Sequence, residues 1–205
     1  MGRWMGAWIL TITLCLTLTC CSGEGGSQAE QLALDIRGSY LAMEGCDGSL
    51  EVTADYGQRV YRYAMDLTWQ REGEWVLTLT APENIAGITA RLAAGSAALE
   101  YDGMRVETGP LSADGLSPLE GVPLLLETVQ SGYIAACGLE SWDGTQVLRM
   151  DCRDPESQPG TGREYALWFD PDTHALLRGE LSQDGFTVLQ CIFSHFQLRS
   201  DGGAA

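Results

Sequence analysis

The chain has 205 residues, with 28 acidic and 12 basic side chains and a formal net charge of −16. Binding nucleic acid requires a basic patch to neutralise phosphates, and an anionic lipid surface repels an acidic body, so the composition argues against both as direct partners. Hydrophobic residues make up 45% of the chain, enough for one domain with a substantial core.

Residues 1–20 carry one positive side chain, Arg3, followed by an uncharged stretch from Trp4 to Leu18, the layout of an export signal. A spanning helix needs about 20 apolar residues and a basic flank. This run is shorter, diluted by threonines, and followed by Ser22-Gly23-Glu24-Gly25-Gly26-Ser27. Leu18-Thr19-Cys20-Cys21 resembles the box that ends lipoprotein signal peptides, whose last cysteine receives a diacylglycerol carrying acyl chains such as palmitate. Cys21 is the expected lipidation site. Cys20 is the second choice, because Thr17 stands where that frame needs Leu. The expected organisation is a signal peptide over 1–20, the lipidated cysteine and a flexible linker over 21–27, a β domain over 28–199 and a disordered tail over 200–205. Such a chain sits on the extracytoplasmic face of the cell membrane, held by its N-terminal lipid.

The first periodic segment, Gln28 to Met43, places Leu32, Leu34, Ile36, Tyr40, Leu41 and Met43 roughly on one side of a helix. From Cys46 the period becomes two. In the stretch 59–69, Tyr61, Tyr63, Met65, Leu67 and Trp69 share one face, while Arg62, Asp66 and Thr68 share the other. Trp75 to Thr80 repeats the alternation and adds Leu77 and Leu79 to the apolar face. Asp102-Gly103, Asp143-Gly144 and Asp184-Gly185 are hairpin signals, since type I′ turns need positive φ at both central residues. Between the two β halves, 122–132 reads as a short helix with Pro123 at its first position and Gly132 as its stop. In the last strand Phe186, Val188, Ile192 and Phe196 fall on one face and Leu189, Cys191 and Phe193 on the other, so both faces read as covered.

Several stretches resemble the LolA/LolB-like family in the form of small exported lipoproteins of Gram-positive bacteria. They are residues 54–61 (ADYGQRVY), 80–88 (TAPENIAGI), the hairpin from Tyr101-Asp102-Gly103 to Gly109-Pro110-Leu111, and Trp168-Phe169-Asp170-Pro171-Asp172-Thr173 running on to residues 191–196 (CIFSHF). The resemblance implies a mainly β (α+β) fold. A curved antiparallel sheet forms an incomplete barrel, and the N-terminal helix and a short mid-chain helix cover its concave face. It also implies that this face accepts acyl chains of a lipid or lipoprotein, which makes Tyr61, Tyr63, Met65, Leu67, Trp69, Leu77 and Leu79 the ligand-cavity candidates. Taken singly, each reads first as an ordinary core residue packed under the helices; a ligand cavity is a property of the whole face.

Cys46, Cys137, Cys152 and Cys191 lie in the exported part, where disulfides can persist. Pairing across the Asp143-Gly144 turn puts Cys137 opposite Met150 and only diagonal to Cys152, so free thiols are expected ahead of a bridge. A zinc site is not expected: Cys191 and His195 on one strand stand about 13 Å apart. Neither a nucleophile elbow, a P-loop nor a dinucleotide fingerprint is present, and His174 reads as a solvated turn residue. No cofactor and no catalysis are expected. The expected function is a membrane-tethered lipoprotein that binds a lipid or an acyl chain. The alternative is a tethered interaction or sensory lipoprotein, for example in sporulation or germination, with a packed barrel, no small ligand and a protein partner that the sequence does not name.

Overall fold

The computed structural model describes residues 24–93, 96–112 and 115–200; Cys20, Cys21 and residues 201–205 of the tail lie outside them. The elements, in chain order, are α1 (Glu24–Ala42), β1 (Gly45–Asp55), β2 (Val60–Gln70), β3 (Trp75–Ala81), β4 (Thr89–Ala93), β5 (Ser96–Tyr101), β6 (Met104–Glu107), α2 (Pro118–Ser131), β7 (Ile134–Trp142), β8 (Thr145–Arg153), β9 (Arg163–Phe169), β10 (Leu176–Gln183) and β11 (Phe186–Arg199). The eleven strands among the described residues form one sheet in the order β6-β5-β4-β3-β2-β1-β11-β10-β9-β8-β7. Every neighbouring pair is antiparallel, and β1 meets β11 at the centre. The sheet does not close on itself, so the fold is a mainly β incomplete barrel with two helices.

Local chemistry explains most of this order. Asp102-Gly103, Asp143-Gly144 and Asp184-Gly185 all have positive φ at both residues, from 48° to 79°, the left-handed pair that a two-residue hairpin needs. Register breaks at Asp47/Ser49, Ala64/Met65, Ile134/Ala136, Leu176/Arg178 and Leu181/Ser182 insert the bulges that bend a sheet of this width. The bulge opposite Gly48 overturns one expectation. His195 takes φ 54° there, and Phe196 swings to the side of Phe193, making an edge-on contact at 5.5 Å and stacking on Tyr40 at 6.3 Å. A Cβ on Gly48 would lie 3.0 Å from the Phe196 ring, so the glycine makes room for it. Phe186, placed on a covered face by the alternation, is 47% exposed.

Both helices differ from the sequence reading at their ends. α1 begins at Glu24 and so takes in residues read as linker. Its buried residues are Ala29, Ala33, Ile36 and Tyr40, a stripe at steps of three and four that Met43 continues just past the helix end, whereas Leu34 and Leu41 point outward at 58% and 55% exposure. α2 begins five residues before the expected Pro123, with Ser117 as N-cap and Pro118 in the first turn, and Pro123 lies inside it. Gly132 is its C-cap, as expected.

The core lies between the helices and the inner face of the sheet. Gly121 of α2 sits where a Cβ would fall 2.2 Å from Leu189, and Gly179 of β10 where one would fall 2.8 Å from Leu125, so α2 presses close onto β10 and β11. α1 covers β7 and β8 and packs against α2. The outer face is closed differently, by side chains lying flat on the sheet. The Arg178 guanidinium sits 4.8 Å from the Trp168 ring and 6.0 Å from Trp142, and Arg149 lies 5.1 Å from Trp168. Arg178 pairs with Glu180, and the Trp168 indole donates to Glu140.

Candidate functional site

The helices cover the β7–β11 half of the inner face more fully than the β3–β6 half, and a groove of about 580 Å³ opens on the uncovered side of α2. Its floor is a row of residues that the antiparallel register lines up across three strands: Trp75 opposite Leu92, and Leu92 opposite Ala97. Its wall is the stripe Glu120, Pro123, Leu124 and Glu127 of α2, spaced for one helix face, while Gly121, Val122, Leu125 and Val129 turn to the core. Gly73, Ala93, Ser96, Pro110, Gly115 and Arg163 complete the lining. Beyond Ala97 the inner face runs out to Tyr101, Met104 and Val106, which are 53%, 67% and 59% exposed. The volume and the apolar floor with few polar groups match a small-molecule site.

The seven candidates drawn from the alternation all lie on the inner face but serve different parts of it. Met65, Leu67 and Leu77 are at most 1% exposed and Leu79 is nearly so, packed as cross-strand neighbours Met65–Leu79 and Leu67–Leu77. Trp69 is half-buried behind the groove, its ring stacked 5.1 Å from Trp75. Tyr61 and Tyr63 stack at 6.3 Å near the other end of β2, with Tyr61 exposed. The groove floor is therefore the row next to the predicted one, toward the strand ends. Trp75 and Leu92 carried the same alternation; what no local pattern revealed is where α2 would lie and hence which row stays open.

Hydrogen bonds set the position of that helix. Arg37 of α1 donates from Nε to the carbonyl of Val129 at 2.8 Å and from Nη2 to that of Gly132 at 2.5 Å, capping the C-terminal end of α2. Gln130 of α2 donates back to the carbonyl of Tyr40 at 3.2 Å. Arg71, in the turn that leads to Trp75, donates to the carbonyls of Leu41 and Met43 and pairs with Glu44 at 3.0 Å, so the sheet holds the end of α1. His174 is half-buried with Nδ1 2.7 Å from Ser39 Oγ, tying α1 to the 170–175 turn; this corrects its reading as a solvated residue, because its partner is 135 positions away. Glu120 accepts from the Leu111 N–H at 2.8 Å and the Ser112 hydroxyl at 2.7 Å, which fixes the loop that forms the groove lip. The signature Ser117-Pro118-Leu119-Glu120, a serine followed three residues later by glutamate, marks this helix start in the sequence. Partial desolvation against the groove wall raises the pKa of Glu127, whose surface is nonetheless exposed.

Cys46, Cys137, Cys152 and Cys191 are free. The register puts Cys137 opposite Met150, as the two-residue loop requires, and Cys152 opposite Ile134, beyond a register shift between Ile134 and Ala136. Burial raises all four thiol pKa values, to about 12 for Cys46 and Cys191 and about 11 for Cys152. Among the described residues no three His, Cys, Asp or Glu side chains converge on a metal position, and no helix is long and apolar enough to cross a membrane.

An open eleven-stranded antiparallel sheet with its first and last long strands paired, and two helices on the inner face, decides the architecture. It is the architecture that the resemblance to LolA-like proteins implies. No family model matches the chain, and no curated protein does. Among solved structures the chain is similar to an uncharacterized conserved protein from Thermus thermophilus, at 8% identity over 84% of this chain and 89% of that one with a TM-score of 0.50. It is also similar to a putative outer membrane lipoprotein-sorting protein domain from Vibrio parahaemolyticus, at 12% identity over 88% of this chain and 95% of that one with a TM-score of 0.49. A LolA superfamily protein from Nitrosomonas europaea follows, at 9% identity over 84% and 94% with a TM-score of 0.41. At 8% identity the likeness to the Thermus thermophilus protein is one of fold alone.

Proposed function

We propose that this chain is a non-catalytic lipoprotein, tethered through Cys21 to the extracytoplasmic face of the membrane, whose LolA-like domain holds an acyl chain of a lipid or lipoprotein in the groove beside α2. The observation that carries the reading is the row Trp75–Leu92–Ala97, a largely buried apolar floor that lines the groove beneath a wall supplying Pro123 and Leu124. Covering about ten methylenes there contributes on the order of 8 kcal/mol before the cost of ordering the chain. The exposed Tyr101, Met104 and Val106 give an acyl chain an apolar approach to the floor. The body is acidic, so a covalent lipid is the means that fits its charge for keeping it at a membrane.

A second reading, a tethered protein-interaction module without a small ligand, draws on the close packing of Met65, Leu67 and Leu77 under the helices. Native mass spectrometry of the protein purified from cells separates the two. The proposal expects a diacylglycerol on Cys21, lost with release from the membrane in Cys21→Ser, and a second, non-covalent acyl lipid on the domain. A domain free of lipid that also takes up none when offered an acylglycerol points to the interaction module.

A further inference from the structure

We infer that the groove discriminates by charge: it takes acyl ligands whose polar end is uncharged or cationic, acylglycerols being the neutral class, and rejects free fatty acids. The inference rests on the acyl-chain reading of the groove and adds the chemistry of the head.

Two carboxylates share the wall stripe, Glu120 and Glu127, seven residues apart and therefore on one face of α2. Glu120 is held by neutral donors alone among the described residues, the Leu111 N–H and the Ser112 hydroxyl, so its charge is fixed in place and not cancelled. It also lies in the first turn of α2, where it complements the positive end of the helix and takes away the attraction that end would offer an anionic head. Glu127 forms no ion pair among the described residues and stands exposed on the wall, so it adds an uncompensated negative charge to the rim. Arg163 lines the groove beside Gly115 and Leu124, is engaged by a partner of its own in the chain, and is the one cation among the described lining residues. With two carboxylates against one guanidinium on the lining, in a chain of net charge −16, the field inside the groove is negative.

The test uses three probes with the same acyl length, a monoacylglycerol, an alkylammonium and a fatty acid, titrated at pH 8 and low salt. The monoacylglycerol is expected to bind more tightly than the fatty acid by on the order of tenfold, with the alkylammonium at least as tight as the neutral probe, and added salt is expected to shrink both differences. Glu127→Gln, which keeps the side chain's shape and removes its charge, is expected to tighten fatty-acid binding and so narrow the glycerol-to-acid ratio. Equal binding of all three probes, unaltered in Glu127→Gln, overturns the charge selection and leaves the acyl groove standing. Tighter binding of the fatty acid, lost in Arg163→Gln, overturns it in favour of an anion site. Failure of every probe to bind overturns both the selection and the reading on which it rests.

Discussion

Added volume distinguishes a packed core from an open groove, and the inner face offers one site of each kind. Met65 is 1% exposed and flanked in register by Leu50 and Leu79. Replacing it with Trp forces extra atoms into close-packed surroundings, which costs about 1–3 kcal/mol. For a domain of this size that lowers the melting midpoint by about 2–12 °C. Leu124 is half-buried on the groove wall, with about 580 Å³ in front of it. Leu124→Trp therefore changes stability by no more than about 0.5 kcal/mol, roughly 2 °C or less. It takes up the space that an acyl chain needs, and losing cover for about two methylenes already weakens uptake roughly tenfold. Thermal denaturation and uptake of a fluorescent, uncharged monoacylglycerol, measured on both variants, give the comparison. Equal destabilisation by the two substitutions refutes the open groove, and a neutral Met65→Trp refutes the packed core.

Arg37→Ala removes both donors that cap α2 and is expected to lower stability by about 1–3 kcal/mol in urea titrations, with Arg37→Lys restoring only part because one ammonium does not reproduce the two-pronged donation. In the native protein at pH 8, a thiol reagent is expected to modify Cys137 first and to leave Cys46, Cys152 and Cys191 untouched until denaturant is added, since their pKa values of about 11 to 12 keep them protonated as well as buried. Asp170 has its pKa lowered chiefly by the Thr173 N–H, which donates to it at 2.7 Å, so its stabilisation is present above the ordinary carboxylate range and is lost as pH falls through the lowered value. The stability difference between the parent and Asp170→Ala should therefore be constant near neutral pH and shrink in acid titration; a difference that grows in acid contradicts that assignment.

What the sequence made legible was whatever depends on near neighbours. Alternation at Tyr61 to Trp69 placed the inner face of β2, three Asp-Gly pairs placed hairpins, and the short Asp143-Gly144 loop fixed Cys137 against Met150. Features set by contacts distant in sequence were not readable. Phe196 changes sides because a bulge answers Gly48, nearly 150 residues earlier in the chain. The groove lies over Trp75, Leu92 and Ala97, and not over Met65 and Leu77, because Gly121 and Gly179 let α2 settle onto β10 and β11. Arg37 and Arg71, which hold that arrangement, look from the sequence like any exposed arginines. The start of α2 is an intermediate case: Ser117 and Glu120 announce it, but Pro123 draws attention to a later position.

The central claim is that an acyl chain lies against Trp75, and bromine on the acyl chain quenches tryptophans that the chain touches. Titrating the protein with a monoacylglycerol brominated along its acyl chain reports contact directly. The account predicts saturable quenching in the parent, most of it lost in Trp75→Phe and all of it retained in Trp142→Phe, whose indole lies on the outer face beside Arg178. Quenching that survives unchanged in Trp75→Phe, or a parent protein that is not quenched at all, contradicts it.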